Sequence, residues 1–336
     1  MNARRWLLLM LAAAAYVALR LKFNQEYEHA PWDALVAGTA KLPFGHRVLV
    51  PWLVRPFVSA GVSVRTAFGV TEWLATVAAL AGVDAALQRF VEPKAARIAS
   101  GAFLGVLGLA FLLHFRWPIF YPWDTPAIAA LAWGVALAHA RRHGPLVALA
   151  TIAALNRETA VLLPLLTVAL QYGSEHQREG LRSASLQLVG VVMARLALSV
   201  LVPAEGSALH FEVAGMWRID HNLQWLGKGL HVFLILGAFS MLPVLWVVLR
   251  PSIPLALRRL ELVVIPAMAG LMVVANLYEP RAWGEPLTLL YLGVAVGAIR
   301  WLGDVREELE PTGLDRWGAP ALVGTVLLAL VTWTFA

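Results

Sequence analysis

The stretch GPLVALATIAALNRETAVLLPLLTVALQY, Gly144 to Tyr172, decides how the chain is to be threaded. Apolar residues run from Leu146 to Leu155 and from Ala160 to Leu170. Between them Asn156, Arg157 and Glu158 place an amide, a guanidinium and a carboxylate side by side. At the centre of a membrane helix each such charge costs about 2.5–3.5 kcal/mol, so the triplet must be paired or must line a wet cavity. A polar cluster at this depth is a functional-site candidate.

The composition supports a membrane reading. Of 336 residues, 60% are hydrophobic and 14% charged, against about 25% charged in soluble domains. Mean hydropathy is +0.69, and long apolar runs recur, so the fold class is all-α: a polytopic helical membrane bundle of ten or eleven membrane helices, some short. The absence of cysteine excludes disulfides, thiolate metal sites and cysteine nucleophiles. The net charge of +6 is carried by basic residues that flank membrane segments, so no nucleic-acid partner is expected.

In chain order, a first span is expected at 6–22. Its run ends in Arg20-Leu21-Lys22 without a small-residue cleavage site, which favours a retained helix over a cleaved signal peptide. Residues 23–65 form a first outer loop with Glu26, Glu28 and Asp33. Within it 47–63 reads as a helix lying at the interface, since Arg47, Arg55, Pro51 and Pro56 interrupt its apolar face. Spans follow at 66–88 and 98–114. The loop Arg116 to Pro126 is aromatic and proline-broken; Asp124 or Thr125 is placed to cap the helix that follows it, and that helix reaches 139.

The opening stretch then sets the parity of everything downstream. As one span, it would put the basic turns with Arg178/Arg182 and Arg250/Arg258/Arg259 on the opposite side from Arg141/Arg142. As two short arms meeting at Asn156-Arg157-Glu158, it leaves all these turns, and Arg306/Arg316, on one side, as the positive-inside rule requires. Each arm is then about 16–22 Å long at 1.5 Å per residue, so the tip sits within the bilayer's depth. Further spans are expected at 184–202, 229–249, 260–276, 286–302 and 319–335, with 303–318 a cytoplasmic linker, all within one integral membrane domain covering 1–336. No Gly-rich phosphate loop is present, which argues against an ATP-driven engine.

With that threading the unusual polar residues gather outside: Glu26/Glu28/Asp33, His46-Arg47, Asp124, the triplet, His210/Glu212/Arg218/Asp220/His221, and Glu279 with Arg281. Each has a plainer reading as a solvated acid, a snorkelling anchor, a helix cap or a structural ion pair. Together they suit a polar, anionic substrate. The histidines lack a metal spacing, and no GxSxG elbow occurs.

The elements His46-Arg47-Val48-Leu49-Val50-Pro51-Trp52, Tyr121-Pro122-Trp123-Asp124-Thr125-Pro126, Asn156-Arg157-Glu158-Thr159-Ala160 and Glu279-Pro280-Arg281, behind an acidic first loop, resemble bacterial multi-pass membrane proteins related to the GT-C glycosyltransferases. The resemblance covers about residues 1–300. It implies transfer of a sugar from a polyprenyl-phosphate carrier to a lipid or glycan acceptor, on the outer side of a bacterial inner membrane, by a protein whose N-terminus is cytoplasmic. It also implies an acidic base just after the first helix. Asp33 ranks first, then Glu28 and Glu26. Arg47, Arg157 and Arg281 would hold phosphate, with Asp124, Asn156, Glu158 and Glu279 around them and Glu158 orienting Arg157. The donor is already activated, so no cofactor is expected, and a divalent metal stays open. The competing classes are a transporter or flippase of a lipid-linked or small anionic substrate, and a non-catalytic scaffold.

Overall fold

The computed structural model describes residues 3–112, 118–202 and 218–303. The span expected at 319–335, the linker at 304–318 and the loop residues His210 and Glu212 lie outside them. Among the described residues the protein is helical, with no strand and two isolated bridges. These residues gather into two compact units where the sequence reads as one domain: 3–86 with 118–202, and 87–112 with 218–303.

The first unit holds α1 (Ala3–Phe23), α2 (Trp32–Ala37), α3 (Leu49–Ser59) and α4 (Val64–Leu87). It continues with α6 (Asp124–His139), α7 (His143–Asn156), α8 (Leu162–Gln171) and α9 (Gln177–Leu201). The second holds α5 (Pro93–Leu112), α10 (Ile219–Leu226), α11 (Leu230–Ala238), α12 (Leu242–Leu249), α13 (Leu255–Arg258), α14 (Glu261–Val274) and α15 (Gly284–Leu302). By length and composition α1, α4, α5, α9 and the helix ending at Leu302 can each cross a membrane. α6 and α14, read as spans from the sequence, have 16 and 14 residues and fall short of that length.

The break inside Gly144–Tyr172 is real. α7 stops at Asn156, Arg157 is extended (φ −161°, ψ 152°), and a 3-10 turn over Glu158–Val161 leads into α8. The chain also reverses there. Thr151 of α7 packs where a side chain at Gly190 would stand, and Thr167 of α8 accepts a 3.0 Å hydrogen bond from the Gln187 amide. Gln187 and Gly190 are less than one turn apart on α9, about 4.5 Å. In a continuous helix Thr151 and Thr167 would be about 24 Å apart. Only a hairpin brings both to the same turn. α6 completes the group: Gln171 donates to the Ala138 carbonyl at 3.2 Å, and Asn156 donates to the Trp123 carbonyl at 2.8 Å. The hairpin's open end and its tip are thus each tied to α6 or the loop before it.

In the second unit the run at 229–249 departs from the expected single span. α11 and the segment Leu242–Ser252 are bent by 76°. Ser240 and Met241 both take left-handed φ, 54° and 56°. The Met241 N–H closes back on the Leu236 carbonyl at 2.8 Å and that of Ser240 on Gly237 at 2.9 Å, the two bonds of a Schellman cap. Pro243 then opens α12. Beside the bend, Arg250 pairs with buried Glu261 through two bonds of 2.9 and 3.1 Å, and the Trp246 indole N–H donates to the same carboxylate at 2.7 Å.

The cysteine-free chain allows a direct check of the hairpin. A Cβ at Gly190 would stand 3.5 Å from that of Thr151, within disulfide range. Thr151→Cys with Gly190→Cys is expected to cross-link on mild oxidation, read as a mobility shift. A Thr151→Cys/Leu201→Cys pair, more than a turn further along α9, is expected to stay reduced.

Candidate functional site

The site is built in the first unit, where the first loop meets the loop before α6 and the tip of the α7–α8 hairpin. Gln25 donates to the Pro118 carbonyl at 2.7 Å and Phe120 donates back to Gln25 at 2.8 Å, which joins the two loops. Aromatic rings then stack across the junction. Tyr27 meets Tyr121 edge-on at 5.5 Å, Tyr121 stacks on Trp123 at 4.9 Å, and Trp123 on Phe44 at 5.7 Å. The Arg47 guanidinium lies over Trp123 at 4.8 Å and over Phe44 at 5.4 Å.

Two clusters of charge lie against this stack. In the deeper one, fully buried Arg20 of α1 pairs with Glu72 of α4 and donates to the Thr125 hydroxyl at 2.5 Å. That hydroxyl donates to Glu72 at 2.6 Å. Asp124, 3% exposed, lies 3.8 Å from Arg20 and 3.2 Å from Arg157. Asp124 and Thr125 therefore do not cap α6, as the sequence suggested. The residue before α6, Trp123, makes no side-chain cap either. Buried arginines in a low-dielectric interior need counter-charges more than a helix end needs a cap.

The shallower cluster centres on Glu158, which pairs with Arg47 and Arg195 at 3.2 Å each. Arg195 also donates to the carbonyls of His46 at 3.2 Å and Ala154 at 3.4 Å, so α9 grips the hairpin tip. His46 contacts the Val202 carbonyl at 3.1 Å. The expectation that Glu158 orients Arg157 is corrected here: Glu158 serves Arg47 and Arg195, while Arg157 turns to Asp124. The cause is local. Arg157 is extended, and successive side chains on an extended backbone point to opposite sides.

Burial pushes the Glu158 carboxyl up, but Arg47 and then Arg195 outweigh it and hold its pKa at about 2. Arg47 is held below its usual value by burial, Glu158 notwithstanding, and neighbouring Arg157 adds to the effect. Among the described residues Arg20, Arg47, Arg157 and Arg195 meet Glu72, Asp124 and Glu158 in these two clusters. The buried Arg47 Nε–H has no acceptor among the described residues.

An apolar groove of about 340 Å³ runs between α3, α4, α6 and α7. Leu53, Leu74 and Ile152, each about half exposed, stand along it, and its polar end is Asn156, next in the chain to Arg157.

The other expected residues fall as follows. Glu26 accepts the Trp32 N–H at 3.0 Å. Glu28 is solvated beside His29, at 3.5 Å. Asp33 is exposed in the first turn of α2 and takes no hydrogen bond or ion pair among the described residues. Glu279 and Arg281 belong to the second unit. There Arg281 donates to Glu279 at 2.5 Å and Asn276 donates to it at 2.6 Å, stapling the turn between α14 and α15. Asn222 of α10 secures the same turn through the carbonyls of Met272 and Ala275 and the N–H of Leu277. Arg20, Glu72 and Arg195 were missed in the sequence. Each is a charge inside a predicted span, which was the available signal. Among the described residues no group of three metal-binding side chains is found.

No protein-family model matches the chain, and no curated protein or solved structure matches it either.

Two measurements test these clusters. Glu72→Leu, which removes the nearer of Arg20's two carboxylates, is expected to destabilise by about 3–5 kcal/mol, and adding Arg20→Met is expected to recover most of that loss in thermal melts. Glu158→Gln removes a carboxylate whose folded pKa is depressed, so its stabilising effect is present above the usual carboxylate pKa of 4.5 and disappears as pH falls towards 2. With 42% of the side chain exposed, solvent limits that effect to about 1 kcal/mol. The Tm gap between wild type and Glu158→Gln should therefore be constant from pH 7 to 5 and narrow below 4.5.

Proposed function

We propose that the chain is a GT-C-like membrane glycosyltransferase that moves a sugar from a polyprenyl-phosphate carrier to a lipid or glycan acceptor. It would have ten or eleven membrane helices and work on the extracytoplasmic face of a bacterial inner membrane, with its N-terminus in the cytoplasm. One observation carries the reading: an apolar groove, open along half-exposed Leu53, Leu74 and Ile152, is lined at the hairpin tip by Asn156, whose chain neighbour Arg157 belongs to a cluster of arginines and carboxylates. A polyisoprenyl tail suits the groove, and a phosphate suits Arg157.

Transfer needs three things of these residues. Arg157 holds the phosphate by charge-assisted hydrogen bonds and stabilises the negative charge that grows as the sugar–phosphate C–O bond breaks. The acceptor hydroxyl attacks the anomeric carbon, forming the new C–O bond, and gives its proton to a carboxylate. Asp33 is that base: Glu26 is engaged by the Trp32 N–H and Glu28 lies beside His29, whereas both Asp33 oxygens are available. Polyprenyl phosphate leaves along the groove.

The test is sugar transfer in proteoliposomes over a panel of polyprenyl-phosphate sugars. Arg157→Gln is expected to lower kcat/KM by about 10²–10³-fold and Asp33→Asn by about 10²–10⁴-fold. Full transfer by the combined Asp33→Asn, Glu28→Gln, Glu26→Gln variant would remove the base assignment. Movement of the lipid-linked sugar across the bilayer with no new product would replace transfer by a flippase function.

A further inference from the structure

A second pocket, of about 270 Å³, lies in the first unit between α2, the 44–48 turn, α3 and the end of α9. α3 separates it from the groove. Leu49, Val50 and Leu53 line the groove; Val48, Pro51, Trp52 and Arg55 line the pocket. At 3.6 residues per turn the two sets fall on opposite faces of the helix. The pocket differs in chemistry as well. Its charged lining residues among the described ones are Arg47 and Arg55, with no carboxylate among them.

Both arginines are held in place with donors to spare. The Arg55 Nε–H donates to the Val36 carbonyl at 2.9 Å, which fixes the plane of the guanidinium and leaves its outer nitrogens unpaired among the described residues. They lie against Gly38, whose φ of 79° suits glycine, and a side chain there would stand 3.3 Å from Arg55 Nη2. Arg47, lying over the rings of Trp123 and Phe44 and paired with Glu158, keeps its buried Nε–H without an acceptor among the described residues. Two pre-positioned guanidinium forks suit a phosphate better than point-like ammonium groups would. Phe44, Trp52 and Leu201 supply apolar walls, the last two open to the surroundings at 46% and 75% exposure.

We propose that this pocket binds the phosphate-bearing head of a second amphiphile, held by Arg55 and Arg47 with its chain against Trp52 and Leu201, separately from any lipid in the groove. In the transferase reading this is the acceptor's seat; the binding itself does not rest on that reading.

The experiment is native mass spectrometry of the full chain in dodecyl maltoside, with dodecyl phosphate as probe and inorganic phosphate as the second arm. One saturable dodecyl phosphate is expected in the pocket, in addition to any held in the groove. Arg55→Gln should weaken it at least tenfold, Arg55→Lys less so, and Ile152→Trp, which fills the groove, should leave it unchanged. Trp52→Ala gives an independent loss if Arg55→Gln melts early. Undiminished binding to Arg55→Gln overturns the proposal, as does loss on Ile152→Trp alone. Inorganic phosphate binding as tightly as the amphiphile also overturns it, leaving a free-phosphate site. Sugar transfer measured in parallel separates the two readings: binding without transfer removes only the transferase.

Discussion

Asp124 is the carboxylate on which the first unit turns. It lies between Arg20 of α1 and Arg157 at the hairpin tip, at 3.8 and 3.2 Å, and is itself almost wholly buried. A guanidinium removed from water is tolerated only beside counter-charge with its donors occupied. Arg20 finds its counter-charge in Glu72 and Asp124 and a further acceptor in Thr125, so α1, α4 and the start of α6 have to meet at one point. Arg157 then brings the hairpin tip to that point. The register of five segments follows from one requirement of charge neutrality at depth.

The hairpin tip divides its charges between two jobs. The extended backbone at Arg157 sends that residue inwards to Asp124 and its neighbour Glu158 towards Arg47 and Arg195. The inward pair locks the tip to α6. The outward set ties the tip to α9 and to the turn before α3. The aromatic stack from Tyr27 to Phe44 supports both, since Arg47 rests on its last two rings and the Trp123 carbonyl receives Asn156. In the proposed function stability and substrate recognition would share residues, and substitutions here are expected to act on both.

α3 gives this arrangement its two sides. Its prolines and arginines keep it from being a span, and its short length lets it act as a partition with an apolar groove on one face and a cationic pocket on the other. The Glu279–Arg281 pair in the second unit has the plainer role of holding a turn.

From its sequence alone the protein was determined to be a helical membrane protein, and the break at Asn156-Arg157-Glu158 was legible there. Polar residues between apolar arms, with the charge bias of the basic turns, favour it. The short helix α3 was legible too, because prolines and charges recur inside its apolar pattern. Only the tertiary structure decided the partners. Arg20 reads in sequence as a cation at the end of a span, yet it is buried, because Glu72 and Asp124 come from segments more than fifty and a hundred residues away. Glu158 reads as the partner of Arg157 because they adjoin, and the extended backbone between them sends them apart. The bend at Ser240 and Met241 carries no glycine where the left-handed turn falls, so local signals do not announce it. Patterning and charge bias are summed along the chain and survive in the sequence. Which guanidinium meets which carboxylate is set by long-range packing and does not.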